Sequence, residues 1–291
     1  MKEKIWGEKK IKKEEDQIKR LFIKCYDKKI SKKKFDQLYK KNPYGESRAI
    51  ALKKSDELIG FYGLIPQKIS KRLNEKKLSM NYLLGVSLMI SPEFRDVSTL
   101  AVILKRVDKH IGKTNYITVL GFPNEQSIIP LTTLFGWNIV EEAKFYTCKV
   151  KNANQNAKIK DIKESKILSK NKWCVPYEEE EFIEWKEICN SYNTVEINND
   201  LKVVYKKYKN KIDLLDVSRI KNGNVERENL ESLVERERAS GFIITNYHAK
   251  KIGVSLKKCE GWNNGKIRLC SLGDGVESKN LHLSLLMSDV F

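Results

Sequence analysis

Residues 121–137, Gly121-Phe122-Pro123-Asn124-Glu125-Gln126-Ser127-Ile128-Ile129-Pro130-Leu131-Thr132-Thr133-Leu134-Phe135-Gly136-Trp137, read as the end of a buried strand that breaks into a polar turn and starts a short helix. The run before it, Tyr116 to Leu120, is short, apolar and β-branched, as expected of a strand covered on both faces. Gly121 and Pro123 stop sheet pairing, because proline donates no backbone N–H and glycine admits angles that other residues avoid. Asn124 is placed as a helix N-cap and Gly136 to end the helix. Open sheets bind ligands at the carboxyl ends of such strands, so a site is expected here, although the segment alone also suits an ordinary strand-turn-helix connection.

Working outward, Tyr82 to Ile90 reads as a mostly apolar strand broken by Ser91-Pro92-Glu93-Phe94-Arg95. A helix follows from Ser98, with Leu100, Val102, Ile103, Leu104, Val107 and Ile111 on its apolar face and Lys105, Arg106, Asp108 and Lys109 largely opposite. Arg95 and the free N–H groups of the first helical turn point at one region, an arrangement that holds phosphate. Without glycines the segment also suits a plain helix cap.

These residues resemble the Gcn5-related N-acetyltransferase (GNAT) superfamily, in particular a bacterial branch that acylates surface polysaccharides and related small molecules. The resemblance runs from about Asn42 to Val150. It is carried by Asn42-Pro43-Tyr44-Gly45, the strand pair Arg48 to Lys53 and Glu57 to Ile65, Pro92-Glu93-Phe94-Arg95, and Gly121-Phe122-Pro123-Asn124 with Ser127 and Gly136-Trp137. It implies a mixed α/β (α+β) acyl-CoA N-acyltransferase fold with acetyl-CoA or another acyl-CoA as co-substrate and no metal. It further implies that Arg95, Asp96, Val97, Ser98, Thr99 and Leu100 form the pyrophosphate turn, that Met89, Ile90 and Ser91 pair with pantetheine, and that Asn124 and Ser127 lie beside the thioester or the pantetheine arm.

The match departs from the family pattern where chemistry is concerned. Relatives usually carry glycine at the third position after the arginine and often directly after it, where this chain has Ser98 and Asp96. Asp96 adds negative charge next to a polyanion. The tyrosine that many relatives use to protonate the departing thiolate is missing, since Leu131 and Thr132 stand in that stretch. Backbone N–H around Met89 to Ser91 is expected to polarise the thioester carbonyl. Glu125 and Glu93 are the catalytic candidates as general base, with His110 a further one. Each has a plainer reading: Glu125 as a first-turn carboxylate, Glu93 as a solvated loop residue, His110 as a cation at a helix end.

The chain of 291 residues carries a formal charge of +18 and six cysteines. No apolar run reaches bilayer length and the start Met1-Lys2-Glu3-Lys4 lacks a secretion signal, so a cytoplasmic protein is expected. Cys25, Cys148, Cys174, Cys189, Cys259 and Cys270 form no CxxC pair or Cys/His cluster, so they read as buried thiols or bystanders and no zinc site is expected. Much of the charge is lysine among the first 41 residues, interleaved with Ile11, Ile18, Leu21, Phe22, Phe35 and Leu38; this predicts two amphipathic helices with solvated lysine faces. A basic surface also suits a polyanion. No zinc finger, RNP-type strand or arginine-rich run is present, and nucleic acid is not an expected partner.

Residues 1–150 are assigned to the acyltransferase unit, 151–170 to a polar connector and 171–291 to a second, shortened and degenerate GNAT-like unit. In that second unit Glu178 to Tyr192 and Val225 to Ala239 read as helices. Gly241 to Thr245 and Lys251 to Leu256 read as a hairpin, Lys266 to Leu272 as a strand and the chain from Ser278 as a final helix. It lacks an Arg-led turn and a Phe-Pro-Asn segment, so its expected work is to wall the acceptor pocket, with Asp274 between glycines either gripping an acceptor or forming a plain turn. The expected activity is direct transfer of an acyl group to an amine of a small polar acceptor such as an amino sugar. The alternatives are an inactive CoA-binding module and a tRNA-dependent aminoacyl transferase with tandem halves.

Overall fold

The computed structural model describes residues 2–73, 76–150, 156–162, 172–176, 179–189, 192–220, 227–257, 259–273, 276–277 and 280–287. The first half opens with β1 (Lys2–Trp6) and three short helices, α1 (Glu8–Lys13), α2 (Glu15–Tyr26) and α3 (Lys32–Tyr39). Strands β2 (Arg48–Lys54), β3 (Glu57–Leu73) and β4 (Lys76–Ile90) then run antiparallel, and α4 (Val97–Ile111) carries the chain over to β5 (Val119–Gly121), parallel to β4. Helix α5 (Glu125–Leu134) leads into β6 (Trp137–Lys149).

The second half repeats this order. After β7 (Ile159–Asp161) and α6 (Glu180–Glu187) come β8 (Asn193–Ile197), β9 (Leu201–Tyr208) and β10 (Lys211–Arg219), again antiparallel. Helix α7 (Arg227–Arg236) crosses to β11 (Gly241–Thr245), parallel to β10, followed by α8 (Asn246–Ile252) and β12 (Glu260–Leu272). All twelve strands join one sheet in the order β1-β2-β3-β4-β5-β12-β6-β11-β10-β9-β8-β7. The halves exchange their last strands: β12 pairs with β5, and β6 pairs with β11. A disulfide joins Cys148 on β6 to Cys259 just before β12, so these two cysteines are not the separate thiols expected from their spacing.

Strand alternation sorts the core into two faces. Ala49, Ala51 and Phe61 pack in one cluster with Ile11, Ile18, Leu21, Phe35 and Leu38 of α1 to α3. Their neighbours Ile50, Tyr62 and Leu64 pack in another with Ile103, Leu104 and Val107 of α4 and Ile128 and Leu131 of α5. Helices α1 to α3 therefore cover one face of the first half and α4 and α5 the other.

Several expected elements differ. Tyr116, Ile117 and Thr118 stay outside β5, which spans Val119–Gly121. The lysine-rich start forms three helices behind an edge strand. The expected connector holds β7, while residues 151–155 and 163–170 lie outside the described residues. The hairpin expected over Lys251 to Leu256 is replaced by α8, because the Thr245 hydroxyl accepts the His248 N–H at 3.1 Å and Gly253, at φ +74°, stops the helix. Residues 281–284 are irregular and lead into one 3₁₀ turn at Leu285–Met287 instead of forming the expected helix; Asp274, Gly275 and Ser278 lie outside the described residues. No helix among the described residues is long and apolar enough to cross a membrane.

Candidate functional site

Strands β4 and β5 are zipped over Leu83–Gly85 and Val119–Gly121, with Ile117 donating to the Asn81 carbonyl at 3.1 Å just before. Beyond Gly85, β4 bulges: Ser87 and Leu88 together face Tyr62, and Ser87 adopts φ +52°. A bulge adds twist and turns a strand away from its neighbour. On the other side Pro123 and the helix start turn the chain away after Gly121. The two strands diverge, and a cavity of about 890 Å³ fills the gap, within the range of small-molecule sites.

The cavity is lined from both faces of the sheet. From the turn before α4 comes Arg95, from α4 and α5 come Val97, Leu100, Ser127 and Leu131, and from α2 and α3 come Phe22, Cys25, Tyr26 and Leu38. At the zipped end sit Gly85, Gly121, Tyr62 and Trp137. A Cβ at Gly85 would lie 2.6 Å from Tyr62 Cζ, so only glycine lets the tyrosine ring cover this end. A Cβ at Gly121 would meet the Trp137 ring at 3.3 Å.

The exposed backbone edge of β4 is partly dressed by side chains. Tyr26 donates to the Leu88 carbonyl at 3.0 Å, and Cys25 and Arg95 donate to the Ile90 carbonyl, each at 3.3 Å. Burial pushes the Cys25 thiol up against the opposing influence of Arg95. Of the three residues expected to meet pantetheine, Ile90 lines the cavity. Met89 is paired with Phe61 of β3, and Ser91 donates its N–H to the Ile59 carbonyl at 2.8 Å. By alternation, the backbone groups facing the gap are those of Leu88 and Ile90.

Asn124 caps α5, accepting the Ser127 N–H at 2.9 Å and the Ser127 hydroxyl at 2.7 Å, and both residues line the cavity. The expected phosphate turn is built differently. Asp96 is the N-cap of α4: its carboxylate accepts the Thr99 N–H at 2.7 Å, the Thr99 hydroxyl at 3.1 Å and the Ser98 hydroxyl at 2.6 Å. Those bonds, from Ser98 first, lower its pKa. Donors that a phosphate needs are thus already engaged by a carboxylate on this helix start. Arg95, Asp96, Val97 and Leu100 line the cavity, whereas Ser98 and Thr99 do not.

Neither catalytic candidate reaches the cavity lining. Glu125 forms a salt bridge with Arg268 at 2.8 Å, which also holds Glu142 at 2.6 Å. Glu93 pairs with Lys24 at 2.7 Å and accepts the Ser91 hydroxyl, and these partners hold its pKa at about 2, too low for a base at neutral pH. His110 is buried at the end of α4, away from the lining, with its pKa lowered by burial and by Arg48 and Arg106. The hydroxyl that sequence reasoning missed is Tyr62. Its signal was an aromatic on β3 set against the glycine at the zipped end of β4, legible only once strand register is known.

A parallel pair that zips briefly, bulges and splits open around a through-sheet cavity, with a helix after each of its strands, decides the architecture. The fold is that of the GNAT acyltransferases. No family profile and no characterised protein matches the sequence, but solved structures do. The GNAT fold here is similar to a GCN5-related N-acetyltransferase from Anabaena variabilis at TM-score 0.60 and 10% identity, covering 92% of this chain and 72% of that one. For a GCN5-related N-acetyltransferase from Kribbella flavida the values are 0.57, 8%, 93% and 70%. For the Saccharomyces cerevisiae N-myristoyltransferase with bound myristoyl-CoA they are 0.55, 10%, 94% and 79%.

The second half carries the same GNAT device in another state. Strands β10 and β11 zip over Ile212–Asp213 and Phe242–Ile243, and β10 then bulges between Leu214 and Asp216. Here the chain's own segment Leu281–Met287 lies between β10 and α8. His282 Nε2 sits 2.8 Å from Asp216 Oδ1, Tyr247 Oη accepts the Leu283 N–H at 3.1 Å, and His248 Nε2 meets the Leu283 carbonyl at 3.1 Å. Lys251 donates to the Val217 carbonyl at 2.9 Å and lies 3.2 Å from His282 Nδ1. Asp216, His248 and His282 are all buried. Among the described residues, no three His, Cys, Asp or Glu converge as metal ligands.

Proposed function

We propose that this protein is an acyl-CoA-dependent N-acyltransferase that works in the split between β4 and β5, with acetyl-CoA or a longer acyl-CoA as donor. The single observation carrying this reading is the cavity that passes through the sheet, open to α4 and α5 on one face and to α2 and α3 on the other. Two substrates can then meet at one carbonyl from opposite sides. The N-myristoyltransferase of the same fold, which holds myristoyl-CoA, supports a thioester donor. Residues 1–150 form the acyl-transfer unit and residues 171–291 the degenerate second unit, joined by 151–170.

In this reading Arg95, Asn124 and Ser127 hold the donor's arm on the α4 and α5 face, and the Leu88 and Ile90 backbone lines its path. An amine entering from the α2 and α3 face attacks the thioester carbon; the C–N bond forms and the C–S bond breaks. Tyr62 is the hydroxyl at the zipped end and gives its proton to the leaving sulfur, while the amine loses its surplus proton to water, which reprotonates Tyr62. Asp96 is the only carboxylate among the described lining residues, and it is committed to capping α4, so no side-chain carboxylate is assigned as base. The acceptor is a small polar amine, an amino sugar being the type that fits the resemblance. The proposed location is the cytoplasm, which predicts that Cys148 and Cys259 are reduced there.

The lack of an uncommitted carboxylate among the described lining residues favours a second reading, a CoA-binding unit without turnover. Release of free thiol from acetyl-CoA in the presence of glucosamine, followed with a thiol-reactive dye, separates the two. The acyltransferase reading expects thiol release that falls about 100-fold in Tyr62→Phe with CoA binding unchanged. Binding without release across a panel of amines leaves the second reading standing and removes the first.

A further inference from the structure

The lysines of α2 and α3 divide into two groups. Lys19 meets Glu15, Lys24 meets Glu93, Lys32 meets Asp36, and Lys40 meets both Glu15 and Asp36. These lysines are already paired and need no ligand. Lys28 and Lys29, on the turn between the helices, line the cavity, and among the described residues neither has a carboxylate partner. Asp27, next to them, turns the chain at φ +52° and does not line the cavity. Ser31 and Lys34 continue the same rim, with Lys34 donating to the Gln37 side-chain oxygen at 3.2 Å.

This basic rim lies on the α2–α3 turn, whereas Asn124 and Ser127 lie at the start of α5; Arg95, which meets Cys25 of α2 at the Ile90 carbonyl, stands between the two mouths. Adjacent uncompensated cations at the mouth of a cavity with apolar walls concentrate anions there. The opposite mouth is the one that the donor's arm uses in the acyl-transfer reading, on which this inference rests. We infer that the acceptor amine carries an anionic group, a phosphate monoester matching two neighbouring lysines best, and that Lys28 and Lys29 bind that group while the amine reaches inward toward Tyr62. The acceptor class thereby narrows from polar amines to phosphorylated ones.

The test uses the full chain and two probes that differ only by the phosphate, glucosamine and glucosamine 6-phosphate, with CoA titrated in parallel by calorimetry. The expected result is that the phosphate tightens binding at least about tenfold, that Lys28→Gln/Lys29→Gln removes most of this gain, and that CoA affinity stays within about twofold of the parent protein. Equal binding of the two probes, no binding of either, or a gain that survives the double variant overturns the inference. A parallel fall in CoA affinity also overturns it, because the lysines would then serve the donor. Failure of the acyl-transfer reading shows separately, as CoA binding to the parent protein without thiol release from acetyl-CoA.

Discussion

The two halves of this chain build the same split sheet and put it to opposite uses. In the first half the gap between β4 and β5 is an open cavity whose edge carbonyls accept, among the described residues, from Tyr26, Cys25 and Arg95. In the second half the corresponding region between β10 and α8 is filled by residues 281–287, tied down by Asp216, Tyr247, His248 and Lys251. A split sheet leaves polar backbone without partners, and that backbone must be satisfied by something. The difference teaches that the fold supplies the gap, while binding capacity depends on whether the chain itself fills it.

The largest expected effect comes from breaking the filled split. Asp216→Ala leaves the buried His282 and the half-buried Lys251 without their carboxylate and is expected to cost about 3–5 kcal/mol of stability by denaturant unfolding. A loss under about 1 kcal/mol would mean that the cluster does not hold the segment. The open split is broken by Gly85→Ala, whose Cβ forces the Tyr62 ring away from the zipped end. CoA affinity is expected to fall about 100-fold or more, equivalent to about 2.7 kcal/mol, with circular dichroism unchanged.

Acidification sharpens the comparison next. Burial lowers the pKa of His248 to about 4, against the opposing influence of Asp216. The folded state keeps this ring neutral while the unfolded chain takes up a proton near pH 6.5, so stability falls as pH drops from about 6.5 to about 4, by up to about 1.4 kcal/mol per pH unit. The Asp216 carboxylate, held well below the usual range by His282 and Lys251 despite burial, adds a further loss at lower pH. His248→Gln is expected to flatten the slope in the upper window. The smallest effect is a gain: Asp96→Asn keeps an N-cap on α4 but removes its charge, and about threefold tighter CoA binding is expected, weakening as salt is raised. Unchanged affinity would place the donor's phosphates elsewhere.

The borders of the open split were legible in the sequence because their signals are local. Gly121 and Pro123 break the strand, Asn124 caps the helix and Gly136 ends it at φ +66°. Ser91-Pro92 likewise ends β4, whereas Asp96, read as part of a phosphate turn, is the cap of α4. The filled split was not legible, because its partners are far apart in the chain: Asp216 and His282 are separated by 66 residues. Helix α8 was misread although Thr245 and Gly253 frame it as Asn124 and Gly136 frame α5, since Ile243, Ile244 and Val254 suggested a hairpin. The exchange of β6 and β12 and the Cys148–Cys259 bond depend on pairing between distant strands, which spacing does not reveal. For the same reason Glu93 and Glu125 looked available, and only three-dimensional neighbours show Lys24 and Arg268 holding them.

The most direct test of one open and one filled split is the stoichiometry of CoA binding to the full chain by calorimetry. One site per chain is predicted, lost in Gly85→Ala and kept in His248→Gln. No site, two sites, or one site that survives Gly85→Ala would contradict the account.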